Sequence, residues 1–139
     1  PGMLANVSLL TPNQTEAATI LGAPERAIDS LEEAGQAAAA LLARGVRSVA
    51  LKLGAMGCLW ADASSRRHAA PPRVAAVDTT AAGDVFNGAL AVALAEGRAI
   101  PAALRFANAA AAISVTRMGA QSSIPHREEV AGLAVYAEQ

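Results

Sequence analysis

Asp78-Thr-Thr-Ala-Ala-Gly-Asp84 is the most informative stretch of this 139-residue chain. Its small residues stand directly before a segment rich in helix formers, residues 85–96. Backbone N–H groups converge at a helix start and carry partial positive charge there, so this turn is suited to hold an anion or a phosphate oxygen. A carboxylate at Asp84 would repel phosphate unless it acts as a general base towards an attacking hydroxyl. The alternative is that Asp84 only caps the helix and Gly83 only permits the turn, and the spacing alone does not separate the two.

The segments on either side alternate between strand-like and helix-like patterns. We predict short strands at 7–10, 48–53, 58–61 and 74–77, with an edge strand at 66–69. We predict helices at 16–21, 31–44, 85–96, 102–115 and 127–138. This alternation predicts an α/β fold with a mostly parallel sheet, to which the turn at 54–57 adds an antiparallel hairpin.

The composition excludes several classes of protein. Hydrophobic residues make up 53% of the chain and charged residues 17%, so we expect one folded domain with a core. Aromatic residues make up only 3%, so close helix packing has to replace bulky side chains. A net charge of −1 gives no electrostatic reason to expect nucleic acid or a membrane surface as a partner.

Cysteine and histidine are scarce. The single cysteine, Cys58, excludes an internal disulfide framework and a multi-thiolate zinc site. We expect Cys58 to be a small buried hydrophobe, and His68 and His126 to lie at the surface. No run approaches the ~20 apolar residues of a membrane span. Together with the absence of a signal-peptide pattern, these features predict a cytoplasmic protein.

Other candidate residues are weak when taken alone. Asn13 and Glu16 have the spacing of a capping box. Gly54 and Gly57 indicate a hairpin turn, because no Gly-Lys-Ser/Thr follows them as in a phosphate-binding loop. Lys52 fits a solvated edge position. The chain also lacks the G-x-S-x-G turn that carries the nucleophile of α/β-type serine hydrolases.

Four segments taken together are more specific. They are 11–16 (TPNQTE), 51–57 (LKLGAMG), 78–90 (DTTAAGDVFNGAL) and 107–121 (ANAAAAISVTRMGAQ). In this order they resemble the C-terminal half of the ribokinase-like (PfkB) family of carbohydrate kinases, over essentially the whole chain. The resemblance implies the nucleotide-binding half of a three-layer α/β/α sandwich. It also implies ATP-dependent phosphorylation of a sugar's primary hydroxyl, most closely that of D-ribose to D-ribose 5-phosphate.

The resemblance assigns roles to residues of the four segments. Asp84 is the implied catalytic base and substrate contact, and the backbone N–H groups of Ala81, Ala82, Gly83 and Asp84 are the implied anion hole. Glu16 is implied to hold Mg²⁺ through water. The implied nucleotide-binding residues are Asn13, Lys52, Gly54, Gly57 and Asn108. The implied potassium site, formed mostly by backbone carbonyls, comprises Asp78, Thr80, Ser114, Arg117, Gly119 and Ser123.

The family enzymes are about twice as long as this chain. We therefore expect the N-terminal sugar-binding half and its lid to be absent, as in a fragment or a truncated product, and the isolated chain to lack useful kinase activity. We expect ATP or ADP and a sugar as partners, and self-association or a homodimer through an exposed sheet edge. The alternatives are a fructokinase, a 2-keto-3-deoxygluconate kinase, a nucleoside kinase, or a non-catalytic nucleotide-binding remnant.

Overall fold

A computed structural model describes residues 2–136 and divides them into two compact units, the first ending at His68 and the second beginning at Ala69. The first unit carries helices α1 (Gln14–Ile20) and α2 (Leu31–Ala43) and strands β1 (Ser48–Lys52), β2 (Cys58–Asp62) and β3 (Arg66–Ala69). The last residue of β3, Ala69, is counted with the second unit. The second unit carries α3 (Ala82–Ala95), α4 (Ile100–Val115) and α5 (Arg127–Tyr136). Short 3₁₀ turns occupy Leu4–Asn6, Gly54–Met56 and Gln121–Ser123.

The sheet of the first unit is mostly antiparallel, in the order β1-β2-β3. β1 and β2 form the predicted hairpin, with Lys52 opposite Cys58. Parallel pairing is limited to the segment 7–13, which lies along the other edge of β1 and forms bridges at Leu10–Val49 and Asn13–Lys52. The expectation of a mostly parallel sheet was therefore wrong for these residues. A hairpin returns the chain at once, whereas a parallel neighbour needs a crossover, and only α1 and α2 supply one here.

Helix α2 covers this sheet with small side chains. The Ser30 hydroxyl accepts a hydrogen bond from the backbone N–H of Glu33 at 3.2 Å and so caps the helix start. Ala34, Ala38 and Leu41 are fully buried on the face that packs against β1 and β2. On β2, Trp60 is buried, and its indole N–H donates to a carboxylate oxygen of Asp62 at 2.9 Å.

The second unit is organised around the packing of α3 against α4. Leu90 and Leu104 are buried there among alanines, which allow the two helices to approach closely. Buried alanines of this pair include Ala93, Ala103, Ala107, Ala109 and Ala110. The buried alanines thus lie at a helix–helix contact, as the prediction of close helix packing required.

Helix α5 is joined to the rest of the second unit by ion pairs at both of its sides. Arg127 pairs with Glu96 at the end of α3, and Glu129 pairs with Arg117 in the loop after α4. Val130 is buried beneath them. The predicted end of this helix, at 137–138, lies outside the described residues.

The predicted strand at 7–10 is reduced to an isolated bridge at Leu10, and the predicted strand at 74–77 does not form at all. Residues 70–76 have no regular secondary structure, and Val77 is 61% exposed. The backbone N–H groups of Val77 and Asp78 both donate to the carbonyl of Val115, at 2.6 and 3.1 Å. The backbone here is thus bound to the C-terminal end of α4 instead of a neighbouring strand. Among the residues described, no helix is long and apolar enough to cross a membrane.

Candidate active site

Asp78 connects two loops of the second unit that are far apart in sequence. Its Oδ1 accepts hydrogen bonds from the backbone N–H and the hydroxyl of Thr80, at 2.9 and 2.6 Å. Its Oδ2 accepts from the backbone N–H of Gly119 at 2.9 Å. We call this arrangement the Asp78 clasp. It brings together three of the residues assigned to a cation site, Asp78, Thr80 and Gly119.

The clasp favours the ionised form of its carboxylate. The hydroxyl of Thr80, together with the N–H groups of Thr80 and Gly119, holds the pKa of Asp78 below its usual value. Hydrogen bonds to the charged form stabilise that form, so the group remains an anion at neutral pH. The loop before α3 therefore contains a fixed negative charge.

The start of α3 leaves backbone donors without acceptors. Its N-cap is Ala81, which has no side chain able to cap. The N–H of Ala82 donates to the carbonyl of Thr79 at 3.2 Å, and that of Val85 donates to the carbonyl of Ala81 at 2.9 Å. Within the described part of the chain, the N–H groups of Gly83 and Asp84 have no acceptor. They are the two donors best placed to receive an anion from solvent.

Asp84 occupies the third position of this helix and is exposed. Its carboxylate has no hydrogen bond or ion pair to any residue that the structure describes. Capping of the helix by this side chain, the alternative left open by the sequence, is not what the structure shows. The carboxylate of Asp84 therefore lies open to solvent.

Glu16 at the same position of α1 behaves differently. Its Oε2 accepts the backbone N–H of Asn13 at 2.8 Å, while the Asn13 side chain accepts the N–H of Glu16, also at 2.8 Å. The predicted capping box is thus confirmed, and it consumes one carboxylate oxygen of Glu16. Glu16 and Asp84 occupy the same position of their helices, but only Glu16 caps its helix.

Two further residues assigned to the cation site are held by local contacts. Ser114 and Ser123 are buried, and each hydroxyl donates to the carbonyl three residues earlier, at 2.8 and 2.7 Å. Gly119 has φ +87°, a conformation that favours glycine. Arg117 directs its guanidinium to Glu129, a residue that the sequence did not single out. The sequence offered no local signal for that contact, which joins positions twelve residues apart.

Asn108 is 3% exposed, and its side-chain N–H donates to the carbonyl of Ala69 at 2.8 Å. This bond joins the middle of α4 to the end of β3. A contact of Asn108 with nucleotide stays a prediction, and the structure adds a packing role for its amide.

The first unit holds the other nucleotide candidates. Asn13 and Lys52 are neighbours across a parallel bridge. Gly54 and Gly57 flank the 3₁₀ turn that follows, with φ of +57° and +85°, so the backbone conformation itself calls for glycine at both positions. The carbonyl of Met56 in this turn contacts the Nε2 atom of His68 at 2.6 Å, which the sequence did not predict.

Comparison with known proteins identifies the chain. Residues 2–127 match the model of the pfkB family carbohydrate kinases. The chain belongs to this family. A pfkB-family relative, the ribokinase of Haemophilus influenzae, is 42% identical over 127 residues, which cover 91% of this chain and 40% of the relative. The family resemblance noted in the sequence is thereby confirmed.

Solved pfkB-family structures share the fold. A ribokinase from Arabidopsis thaliana, complexed with ribose and ATP, superposes with a TM-score of 0.87 at 36% identity, covering 95% of this chain and 42% of that one. Phosphofructokinase-2 from Escherichia coli, in complex with potassium, gives 0.81 at 26% identity, with 96% and 42% covered. The ribokinase-like α/β fold class is confirmed. The chain spans about two fifths of the length of these relatives.

The residues present suit the ions that the pfkB family implies. Around the Asp78 clasp the available donors are oxygens, a carboxylate and nearby backbone carbonyls, which suit a hard cation. No group of three or more His, Cys, Asp or Glu side chains that could hold a metal occurs among the described residues. A magnesium ion that keeps most of its water and binds one carboxylate and substrate phosphates needs no such group, so Glu16 alone is compatible with it.

Proposed function

We propose that the chain is the C-terminal, nucleotide-binding and base-bearing part of an ATP-dependent sugar kinase that converts D-ribose to D-ribose 5-phosphate. The observation that carries the proposal is the first turn of α3, where the free N–H groups of Gly83 and Asp84 stand beside the unbonded carboxylate of Asp84. Identity to ribokinases along nearly the whole chain supports the choice of ribose.

Asp84 acts in this proposal as the general base. One of its carboxylate oxygens takes the proton of the sugar's primary hydroxyl while the hydroxyl oxygen forms a bond to the γ-phosphorus of ATP. The bond from that phosphorus to the β–γ bridging oxygen breaks, and ADP leaves. The exposed position of Asp84 and its lack of a partner among the described residues support this role, since a carboxylate bound in a cap is a poorer acceptor.

The backbone N–H groups at the start of α3 form the proposed anion hole. Ala81 and Ala82 supply small side chains there, and Gly83 and Asp84 supply the donors without acceptors in the described chain. These donors lie in the first turn of a helix of fourteen residues, so the positive end of the helix dipole faces the transferring phosphoryl group. Donors fixed before the reaction stabilise the charge that develops in the transition state without reorganising.

A monovalent cation, K⁺, is proposed at the Asp78 clasp. Asp78 and carbonyls of the loops that it joins would hold the ion, the second loop running from Ser114 through Arg117 and Gly119 to Ser123. The cation would add positive charge near the anion hole when bound. The structure of phosphofructokinase-2 from Escherichia coli in complex with potassium supports the choice of ion.

The first unit is proposed to contribute the nucleotide contacts. Asn13 and Glu16 are held in a rigid capping box, from which the second oxygen of Glu16 is left to bind the water shell of Mg²⁺. Lys52, next to Asn13 across the bridge, supplies a cation for phosphate. Gly54 and Gly57 flank the turn and carry no side chain at these two positions, where the backbone of the turn is open to a nucleotide. Asn108 of the second unit is the proposed adenine or ribose contact.

The chain by itself is proposed to be inactive, because it spans about two fifths of the relatives' length. Sugar choice is then set by residues outside this chain. Another pfkB-family kinase, such as a fructokinase, a 2-keto-3-deoxygluconate kinase or a nucleoside kinase, is the alternative within the family. A nucleotide-binding remnant without turnover is the non-catalytic alternative.

The proposal is tested by titrating the ¹⁵N-labelled chain with ATP and Mg²⁺, with and without K⁺, and following backbone amides by NMR. We expect the amides of Gly83 and Asp84 to shift with ATP and not with adenosine, which lacks phosphates. If ATP shifts only the amides of other residues, or if adenosine shifts the Gly83 and Asp84 amides equally, these two N–H groups do not form an anion hole. A version extended to the family's length is then assayed for ribose phosphorylation. Turnover would identify a kinase, and ATP binding without turnover would identify a nucleotide-binding remnant.

A further inference from the structure

Two contacts hold the loop that follows α4, residues 116–120, which has no regular secondary structure. The backbone N–H of Gly119 donates to Asp78 within the Asp78 clasp, at 2.9 Å. The guanidinium of Arg117 pairs with Oε1 of Glu129, which lies in the first turn of α5. The loop is therefore fixed from two sides, and the clasp supplies only one of them.

Both fixed positions carry open backbone carbonyls. The carbonyl of Met118, between them, accepts the hydroxyl of Ser122 at 2.8 Å. The carbonyls of Arg117 and Gly119 accept no backbone N–H from the part of the chain that the structure describes. Both belong to the residues proposed to hold K⁺, mostly through backbone carbonyls. The contacts that fix the loop therefore also fix the oxygens that it offers to a cation.

Glu129 is held in place independently of Arg117. Its Oε2 accepts the backbone N–H of His126 at 2.8 Å and so caps the start of α5. Both carboxylate oxygens are thus bound, one to its own helix and the other to the loop. Exposed ion pairs generally contribute little, because two long side chains must be ordered to form them. Here the cap already orders one of the two, so this pair is suited to fix the loop.

Helix α5 gives Glu129 a firm support. Val130, the next residue, is buried, and Arg127 pairs with Glu96 at the end of α3. Helix α5 also packs against α4, from which the loop departs. The contact with Glu129 therefore ties the loop to the packed helices of the second unit.

We infer that Glu129 is a positioning residue for the monovalent cation proposed at the Asp78 clasp, and that it acts through Arg117. Its carboxylate does not touch the cation. It holds the guanidinium of Arg117 to α5 and thereby keeps the carbonyls of Arg117 and Gly119 ordered. A loop that is ordered in advance binds an ion more tightly than a loop that the ion itself must order. The inference rests on the proposed function, which supplies the cation.

The test measures K⁺ binding by the ¹⁵N-labelled chain and by the variants Glu129→Gln and Glu128→Gln. K⁺ replaces choline at an ionic strength of about 0.15 M, and NMR follows the amides of Met118 and Gly119. Both variants remove one negative charge from the first turn of α5, but it is Glu129 that pairs with Arg117. We expect the K⁺ dissociation constant to rise roughly threefold in E129Q and to stay unchanged in E128Q.

A third variant, Arg117→Met, breaks the same ion pair from its other end. We expect it to weaken K⁺ binding as Glu129→Gln does. The double variant should bind K⁺ no more weakly than either single variant, because both changes remove one and the same interaction. Additive losses would mean that Glu129 does not act through Arg117, and would overturn the inference. Arg117→Met also provides the measurement if E129Q does not fold.

Hydrogen exchange without K⁺ tests the loop separately from the ion. We expect the amide of Gly119 to exchange roughly threefold faster in E129Q than in the unsubstituted chain. An unchanged rate overturns the inference, because the loop would then be ordered without Glu129.

The outcomes for K⁺ separate the inference from the proposed function. A purely structural Glu129 would lower the free energy of unfolding in urea and leave the K⁺ dissociation constant unchanged. That result overturns the inference and leaves the proposed kinase standing. If the unsubstituted chain shows no response to K⁺, the proposed cation site fails and the inference fails with it. The response of the Gly83 and Asp84 amides to ATP then still tests the proposed anion hole.

Discussion

The carboxylate of Asp78 accepts the backbone N–H of Gly119 at 2.9 Å, across 41 residues of sequence. Its other oxygen binds Thr80, which directly precedes the helix cap at Ala81. One side chain thus fixes both the loop that leads into the candidate anion hole and the loop that follows α4. The position of the first turn of α3 depends on a contact that neither loop makes alone.

Asp78→Asn should loosen this connection. An amide keeps one oxygen acceptor, but it loses the charge and cannot accept from both loops as well. We expect the amide of Gly119 to exchange with solvent roughly tenfold faster or more, since hydrogen bonds to charged groups are the stronger ones. Hydrogen exchange followed by NMR measures this. Asp29→Asn, at an exposed acid of the first unit, is the control and should leave Gly119 unchanged.

Acid should open the clasp in the unsubstituted chain. Because the pKa of Asp78 is lower in the fold than its value of about 3.9 in an unfolded chain, its contribution to stability is fully present above that value. The contribution is lost as the pH falls through the lower, folded pKa. The chemical shift of the Gly119 amide should therefore titrate below pH ~3.9. The same titration in Asp78→Asn should be flat, and a midpoint above the unfolded value would mean that the fold raises the pKa of Asp78 instead of lowering it.

Asp84→Asn should slow turnover strongly while the fold is retained. In a version extended to the family's length, we expect kcat to fall by roughly 10²–10⁴, as loss of a general base does, with ATP binding retained. The melting temperature should fall only slightly, because the carboxylate has no side-chain partner in the described residues and the variant loses only its interaction with the helix dipole. Glu128→Gln, an exposed acid in the first turn of α5, is the matched control for charge. Equal kcat in the two variants would remove Asp84 from its role.

Gly119→Ala should destabilise the chain by about 1–2 kcal/mol, because φ at this position is +87°. A Cβ there would also lie 2.6 Å from the hydroxyl oxygen of Ser122. Gly88→Ala provides the contrast, since Gly88 is exposed within α3 and its Cβ would meet no atom within 4 Å. That variant should gain about 0.5–1 kcal/mol. Denaturant unfolding of both measures the difference, and changes of the same sign would contradict the backbone argument.

Asn108→Ala should lower stability by about 1–3 kcal/mol, because it removes the buried amide of Asn108 and leaves the carbonyl of the half-buried Ala69 without its donor. Asn6→Ala is the control, since the exposed Asn6 also donates to a backbone carbonyl, that of Gly2. Its effect should stay within about 0.5 kcal/mol. Thermal unfolding gives the comparison. The ATP dissociation constant of Asn108→Ala, measured alongside, tests the nucleotide contact separately.

Local features of the fold were predictable from the sequence. The capping box of Asn13 and Glu16 depends on residues three apart, and the hairpin after β1 depends on the glycines at 54 and 57. Helix ends followed the same logic, since Gly45 and Gly97 both adopt positive φ where α2 and α3 end. These structures are determined within one turn of chain, so the sequence carries their signal.

Contacts between distant segments were not predictable in the same way. The pattern at 74–77 (VAAV) favours a strand, but a strand needs a partner, and here Val77 binds the carbonyl of Val115. The clasp from Asp78 to Gly119 and the ion pair from Arg117 to Glu129 likewise join segments that no local pattern connects. Family resemblance named Asp78 and Gly119 as members of one site, but only the folded chain supplies the bond between them.

Trp60 gives the chain a built-in optical probe. It is the only tryptophan of the sequence, and it is buried in the first unit with its indole N–H bound to Asp62. Its fluorescence therefore reports on the unit that carries the capping box, while far-ultraviolet circular dichroism reports on the helices of both units. Two melting curves that differ would mean that the units lose their structure in separate steps, and ligands could then be assigned to one unit by the curve that they move.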